Sequence, residues 1–139
     1  MWQSYDLSRS YRISALGRND KVKFKNEFKR RLYKFVIKLI KLLENLPKDR
    51  TCFIIGDQLL RSGTSILSNY IEGQSASSKK DFIKYFEISL KSINESKVWV
   101  AILRDTSKIN QQDSLWLLKE LQEIGNIFGS SILTLKGRK

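Results

Sequence analysis

Histidine is absent from the 139-residue chain. That removes Ser-His-Asp and Cys-His catalytic arrangements, histidine general bases and imidazole metal sites together. Acyl transfer through a lysine base, or carboxylate chemistry, is left open. Cysteine is nearly absent too. Cys52 stands alone in the stretch RTCFIIG, so no intramolecular disulfide forms and a reducing, cytoplasmic setting is expected. Among Phe53, Ile54 and Ile55 this cysteine reads as a small buried apolar group. Proline occurs once and glycine seven times, and breakers this sparse favour long helices. Uncharged apolar runs such as FVI at 35–37 are far too short to span a membrane. The first twenty residues show no apolar core of a signal peptide.

Acidic residues are also scarce. Against 26 lysines and arginines stand 14 aspartates and glutamates, a net +12. The imbalance is uneven: residues 1–50 carry 14 basic and 5 acidic side chains. Charge concentrated in one third of a chain points to a polyanionic partner, although many small proteins are basic merely for solubility.

What is present is helical periodicity. Residues 1–20 are polar, basic and aperiodic, and read as an N-terminal arm; residues 21–139 read as one domain. A first helix is expected from about Lys21, capped by Asp20 or Asn19, to just before Pro47. Phe28, Leu32, Phe35, Leu39, Leu42 and Leu46 form its apolar stripe. A second is expected over about 50–72 with Gly73 as C-cap. The third is expected from Lys79, behind Ser78 and Asp81 as a capping pair, to about Arg104, with Phe82, Phe86, Ile93, Val100 and Leu103 on one side. The fourth starts near Asp113 or Ser114, with Leu118, Leu121, Gly125, Phe128, Ile132 and Leu135 as its seam. Four amphipathic helices joined by short loops predict an all-α, antiparallel up-down four-helix bundle.

The stretch GDQLLRSGTSILSNYIEG, residues 56–73, resembles a loop in composition but carries helix-spaced apolar residues. On a helix, Gly56, Leu60, Gly63, Leu67 and Ile71 share a face, and the glycines admit a close backbone. Ser62, Ser65, Asn69 and Glu72 form a polar stripe beside it. Ser89, Ser92 and Ser96 supply small residues on the third helix. The two stripes predict tight pairing of helices two and three with hydrogen bonds between them. A nucleophilic serine is the competing reading. GTSIL lacks the second glycine of a nucleophile elbow, and Ser77 with Lys80 matches S-x-x-K only where a helix should be capped. Asn94 and Ser96 form a glycosylation sequon in mid-helix, which carries no weight in a cytoplasmic chain. Glu120 and Glu123 read as neighbours on a solvated face, and without an E-x-x-H motif they imply no metal. No catalytic residue, metal site or cofactor is therefore assigned.

Charge meets geometry on the first helix. Lys23, Arg30, Lys34, Lys38 and Lys41 fall at steps of seven, four, four and three. They make a row about 27 Å long, broken only by Glu27 and widened by Lys25, Lys29 and Arg31. Such a row tracks a phosphate backbone. In an up-down bundle the C-terminal Lys136, Arg138 and Lys139 return to the end that holds Arg9, Arg12, Arg18 and Lys21. A plain solvated lysine-rich surface is the competing reading. Membrane binding is disfavoured because the core claims the apolar face. No zinc finger, RNP1 or KH pattern is present, so backbone contact without base readout is expected. Trp99 and Trp116 read as buried; Trp2, Tyr5 and Tyr11, beside arginines, are the candidates for base stacking.

Several features together resemble the four-helix-bundle family of 23S rRNA intervening-sequence proteins: Gly56-Asp57-Gln58-Leu59, Arg61-Ser62, Ser65 with Asn69, Glu72-Gly73, Ser78-Lys79-Lys80-Asp81-Phe82 and the closing IGNIFGSSILTLKGRK. The resemblance spans roughly residues 25–137. That family is similar in fold to the accessory variability determinant of diversity-generating retroelements, a basic homopentameric partner of a reverse transcriptase. The resemblance thus implies a homo-oligomer, a pentamer, with a cationic surface and no catalysis. It also implies that Gly56, Arg61, Gly63, Ser65, Asn69 and Glu72 are structural or interfacial.

Taken together, the expectation is a non-enzymatic, oligomeric bundle that binds nucleic acid, RNA before DNA. Lys23, Arg30, Arg31, Lys34, Lys38, Lys41, Arg138 and Lys139 are its contacts, and it serves as accessory subunit to a reverse transcriptase. The alternative is a protein–protein interaction module with no nucleic-acid role.

Overall fold

A computed structural model describes residues 17–137. Four helices account for nearly all of them: α1 (Arg18–Glu44), α2 (Arg50–Gln74), α3 (Lys79–Asp105) and α4 (Gln111–Leu135). No strand occurs among the described residues. Three helix starts are fixed by a side chain that accepts a bond from an otherwise orphan amide. The Asp49 carboxylate takes the Cys52 N–H at 2.8 Å. The Ser78 hydroxyl takes the Asp81 N–H at 3.1 Å. The Asn110 side-chain oxygen takes the Asp113 N–H at 2.7 Å. α4 accordingly opens at Gln111, ahead of the expected Asp113 or Ser114.

α1 begins at Arg18 behind Gly17, earlier than the expected Lys21, with Asp20 in its first turn where the helix dipole favours a carboxylate. It ends before Pro47, as the proline requires. Gly73 is not a C-cap. It is buried inside α2, and the cap is Ser75. A Cβ on Gly73 would lie 3.2 Å from the Phe86 ring, so the glycine is there to seat that ring.

Contacts between helices run in opposite numerical order, which makes every neighbouring pair antiparallel. On α1 and α4, Phe28 meets Phe128, Arg31 meets Glu120, and Phe35 stacks on Trp116. On α2 and α3, Ser62 meets Ser96 and Tyr70 meets Phe86. The result is the expected up-down bundle. Its core is continuous: Phe28, Leu32, Phe35 and Leu39 of α1 face Leu59, Ile66 and Tyr70 of α2. These pack in turn on Phe82, Phe86, Ile93 and Val100 of α3 and Leu121, Ile124 and Phe128 of α4. Phe28, Tyr70, Phe86 and Phe128 form an aromatic cluster with edge-to-face contacts at 5.0–6.1 Å.

The buried face of α2 is rotated from the expected one. It runs through Cys52, Gly56, Leu59, Ser62, Gly63, Ile66, Tyr70 and Gly73, whereas Leu60 and Leu67 are half-buried and Ile71 is exposed. The glycines also serve a different neighbour. Gly56 faces the Leu43 side chain of α1 and that of Leu46 just past its end, and Gly63 receives Leu39. They are holes for α1 knobs rather than a backbone seam with α3. Close pairing of α2 with α3 comes from the serines.

Candidate nucleic-acid interface

The inward side of α1 is spent on the core, which turns its opposite side to solvent. Lys23, Arg30, Lys34 and Lys41 stand there exposed. Lys23 has a loose contact of 4.0 Å to Glu27 between two well-exposed side chains, worth a few tenths of a kcal/mol at most. Lys38 is half-buried. Its ammonium lies 3.9 Å from the centre of the Trp116 ring, a cation–π contact that fixes it at the α1–α4 edge of the row. Lys29 is exposed, widening the face on its other side.

Arg31 does not stand in this row. It turns toward α4, where Nε donates to Glu120 Oε2 at 2.7 Å and Nη2 donates to Glu120 Oε1 at 2.8 Å and Glu123 Oε1 at 2.7 Å. The hydrogen bond to Glu120 leads in holding the guanidinium still more firmly protonated than usual, against the opposing effect of burial. Glu120 and Glu123 are therefore a carboxylate clasp for Arg31 rather than a solvated pair, and the Glu120 side chain keeps only 16% of its exposure. Their spacing of three on α4 was the available signal, but sequence gives no register between α1 and α4.

At the C-terminal end of the bundle one of the expected cations is already paired. Lys136 donates to Glu87 at 2.7 Å. Arg138 and Lys139 lie outside the described residues, as do Trp2, Tyr5, Arg9, Tyr11 and Arg12. Trp99 and Trp116 are half-buried against the core. Trp116 stacks on Phe35 with 6.2 Å between ring centres. The Trp99 indole donates to Glu95 at 3.2 Å. The exposed aromatic on the cationic face is one the motif reading passed over: Tyr33, 58% exposed between Arg30, Lys34 and Ile37.

The polar stripe of α2 finds its partners on α3. The Ser62 and Ser96 hydroxyls share a bond of 2.7 Å, and Ser92 donates to Ser65 at 2.9 Å. Ser89 donates to the Ile66 carbonyl at 3.0 Å. Asn69 donates to both the carbonyl and the hydroxyl of Ser65 at 2.9 Å, pinning that hydroxyl toward α3. Arg61 and Glu72 continue the stripe but are exposed. Ser77 and Lys80 are both exposed where α3 begins. Burial pushes the Cys52 thiol up, with Asp49 adding to the effect, which keeps the group protonated. Among the described residues no three His, Cys, Asp or Glu side chains gather where they would hold a metal ion. No described helix is long and apolar enough to cross a membrane.

A cationic face on one helix, a serine-zipped pair behind it and no clustered metal ligands among the described residues invite comparison with known proteins. No curated protein matches the chain. A solved structure does: a protein of unknown function from the S23 ribosomal protein family of Bacteroides thetaiotaomicron VPI-5482. It is 32% identical and superposes with a TM-score of 0.72, over 77% of this chain and 96% of that one. The model of the 23S rRNA-intervening sequence protein family matches residues 25–130, from two turns into α1 to the last turns of α4. With three quarters of its length matched, including the small-residue pairing of α2 with α3, this chain belongs to the 23S rRNA-intervening sequence protein family.

Proposed function

We propose that this protein is a non-enzymatic RNA-binding bundle that holds phosphate backbones on the outward face of α1. One observation carries the reading: Lys23, Arg30, Lys34 and Lys41 share a solvent-exposed face, with Lys38 on its edge, while the other side of the same helix is locked in the core. Cations turned away from the core and lying in line along a rigid rod suit a polyanion. The family's name ties its members to an rRNA insertion, which favours RNA over DNA. Similarity to the accessory variability determinant extends the proposal to a homo-oligomer, a pentamer, that assists a reverse transcriptase. Phe53, Ile54, Val98 and Leu115, all large apolar side chains at least 49% exposed, supply surface for self-association or for the polymerase.

Binding of the intact chain to structured RNA, titrated with salt, tests the core of the proposal. Affinity should fall steeply as salt rises, and Lys34→Glu, Lys38→Glu and Lys41→Glu together should abolish binding while the helical circular dichroism stays intact. Salt-indifferent binding, or unchanged affinity in the triple variant, refutes the assignment. Light-scattering mass checks the assembly. A nuclease-insensitive protein complex without RNA affinity would favour the interaction-module reading.

A further inference from the structure

We infer that the cationic face of α1 is built for unpaired nucleotides, with Tyr33 as the platform on which a base stacks. This rests on the polyanion reading above and narrows it. Tyr33 lines a shallow open hollow together with Lys34, Ile37, Lys38, Lys41 and Asn45, and no acidic side chain lines it. Glu44 lies instead on the neighbouring groove between α1 and α2. Tyr33 is 58% exposed and does not pack against the core, although a large aromatic gains most by burial. Ile37, one turn on and half-buried, gives the hollow an apolar floor.

The arrangement joins two kinds of recognition within about three helical turns. Lys34, Lys38 and Lys41 meet phosphates. The Tyr33 ring offers a flat apolar face to a base. Asn45 has its amide nitrogen committed to the Lys41 carbonyl at 3.1 Å, so its side-chain oxygen is the acceptor left at the rim for a base edge. A duplex uses only the phosphate-binding half of this surface, because its bases are already stacked on one another and an A-form major groove is too narrow for side chains. A single strand, loop or bulge uses all of it. Stacking on a ring is sequence-tolerant, which agrees with the lack of any base-reading motif in the chain.

The test compares an unstructured oligo-uridine, an oligo-deoxythymidine and an RNA duplex of equal length, by fluorescence anisotropy with the intact protein. The wild type should bind the single strands more tightly than the duplex. Tyr33→Ala should weaken single-strand binding roughly 5- to 100-fold, the usual worth of one stacked base, and leave duplex binding nearly unchanged. Tyr33→Phe, which keeps the ring, should bind as the wild type does. Tyr33 is outside the core, so both variants should melt as the wild type does. Tighter oligo-uridine binding identifies RNA as the ligand, tighter oligo-deoxythymidine identifies DNA, and either supports the platform. Duplex preference in the wild type, or equal losses in Tyr33→Ala for single strand and duplex, overturns it while leaving the polyanion reading standing. No binding of any strand at low salt overturns both.

Discussion

Ser107 occupies a conformation that an L-residue with a side chain adopts at a cost. Its φ is 58°, in the left-handed region, just past the end of α3. The reason is the way the helix closes: Ser107 N–H bonds the Arg104 carbonyl at 3.0 Å and Lys108 N–H bonds the Leu103 carbonyl at 2.8 Å. That pair of bonds is a Schellman motif, whose left-handed position favours glycine. Ser107→Gly should therefore stabilise the protein by about 0.5–1 kcal/mol, read as a raised thermal midpoint. Gly63 makes the reverse case. It is buried and its missing Cβ is the space that Leu39 fills. Gly63→Val should destabilise by about 1–3 kcal/mol through overpacking, despite valine's better helix propensity. A gain in stability would show that α1 sits less tightly on α2 than these contacts imply.

At the scale of elements, α2 and α3 form a pair zipped by serines, and α1 is tied to α4 by Arg31. Arg31→Met leaves Glu120 and Glu123 side by side with no counter-charge. It should cost about 1–2 kcal/mol, a value discounted because a third of the arginine side chain meets solvent. Amide hydrogen exchange should rise first in α1. Adding Glu120→Gln should recover part of the loss. A second tie joins two loops at one end of the bundle. Asp49 caps α2, and Lys108 from the α3–α4 loop donates to it at 3.1 Å. The Cys52 amide, then Lys108, hold the Asp49 carboxyl below the usual carboxylate range. A carboxyl depressed in the folded state stabilises it above the unfolded value of about 3.9, and that contribution disappears as pH falls through the lower folded value. Asp49→Asn should melt below the wild type at neutral pH. The gap between the two melting curves should shrink as pH drops below about 4. A gap independent of pH would mean that the carboxylate charge plays no part.

For the whole molecule the decisive quantity is the distribution of its charge. Some cations are neutralised internally: Arg31 by α4, Lys108 by Asp49, Lys136 by Glu87. On the outward face of α1, Arg30, Lys34 and Lys41 stand exposed and Lys23 has only the loose contact to Glu27. Each phosphate they neutralise on a single strand should add about 0.7 to the slope of log affinity against log salt. The wild type should therefore show a slope of roughly −3, and the Lys34/Lys38/Lys41 reversal should leave no binding to titrate. A steep slope surviving the reversal would move the binding surface elsewhere on the bundle.

Much of this architecture was legible before any coordinates, because helix formation is local. The spacing of Phe28, Leu32, Phe35 and Leu39, the stop at Pro47 and the cap at Ser78 are written within one or two turns of chain. The serine stripes of α2 and α3 announced their pairing for the same reason. Gly73 was misread because a glycine near a helix end has the same signature whether it stops the helix or seats Phe86 from another one. Arg31 and Tyr33 lie outside local reach in the same way. Sequence alone put Arg31 among the free cations and passed over Tyr33. Only the packing of α1 against α4 decided that the arginine is consumed by two glutamates while the tyrosine two residues on remains in solvent. Side-chain periodicity fixes which face of a helix is apolar, but the azimuth and register between helices are set by knobs finding holes, and those belong to the folded whole.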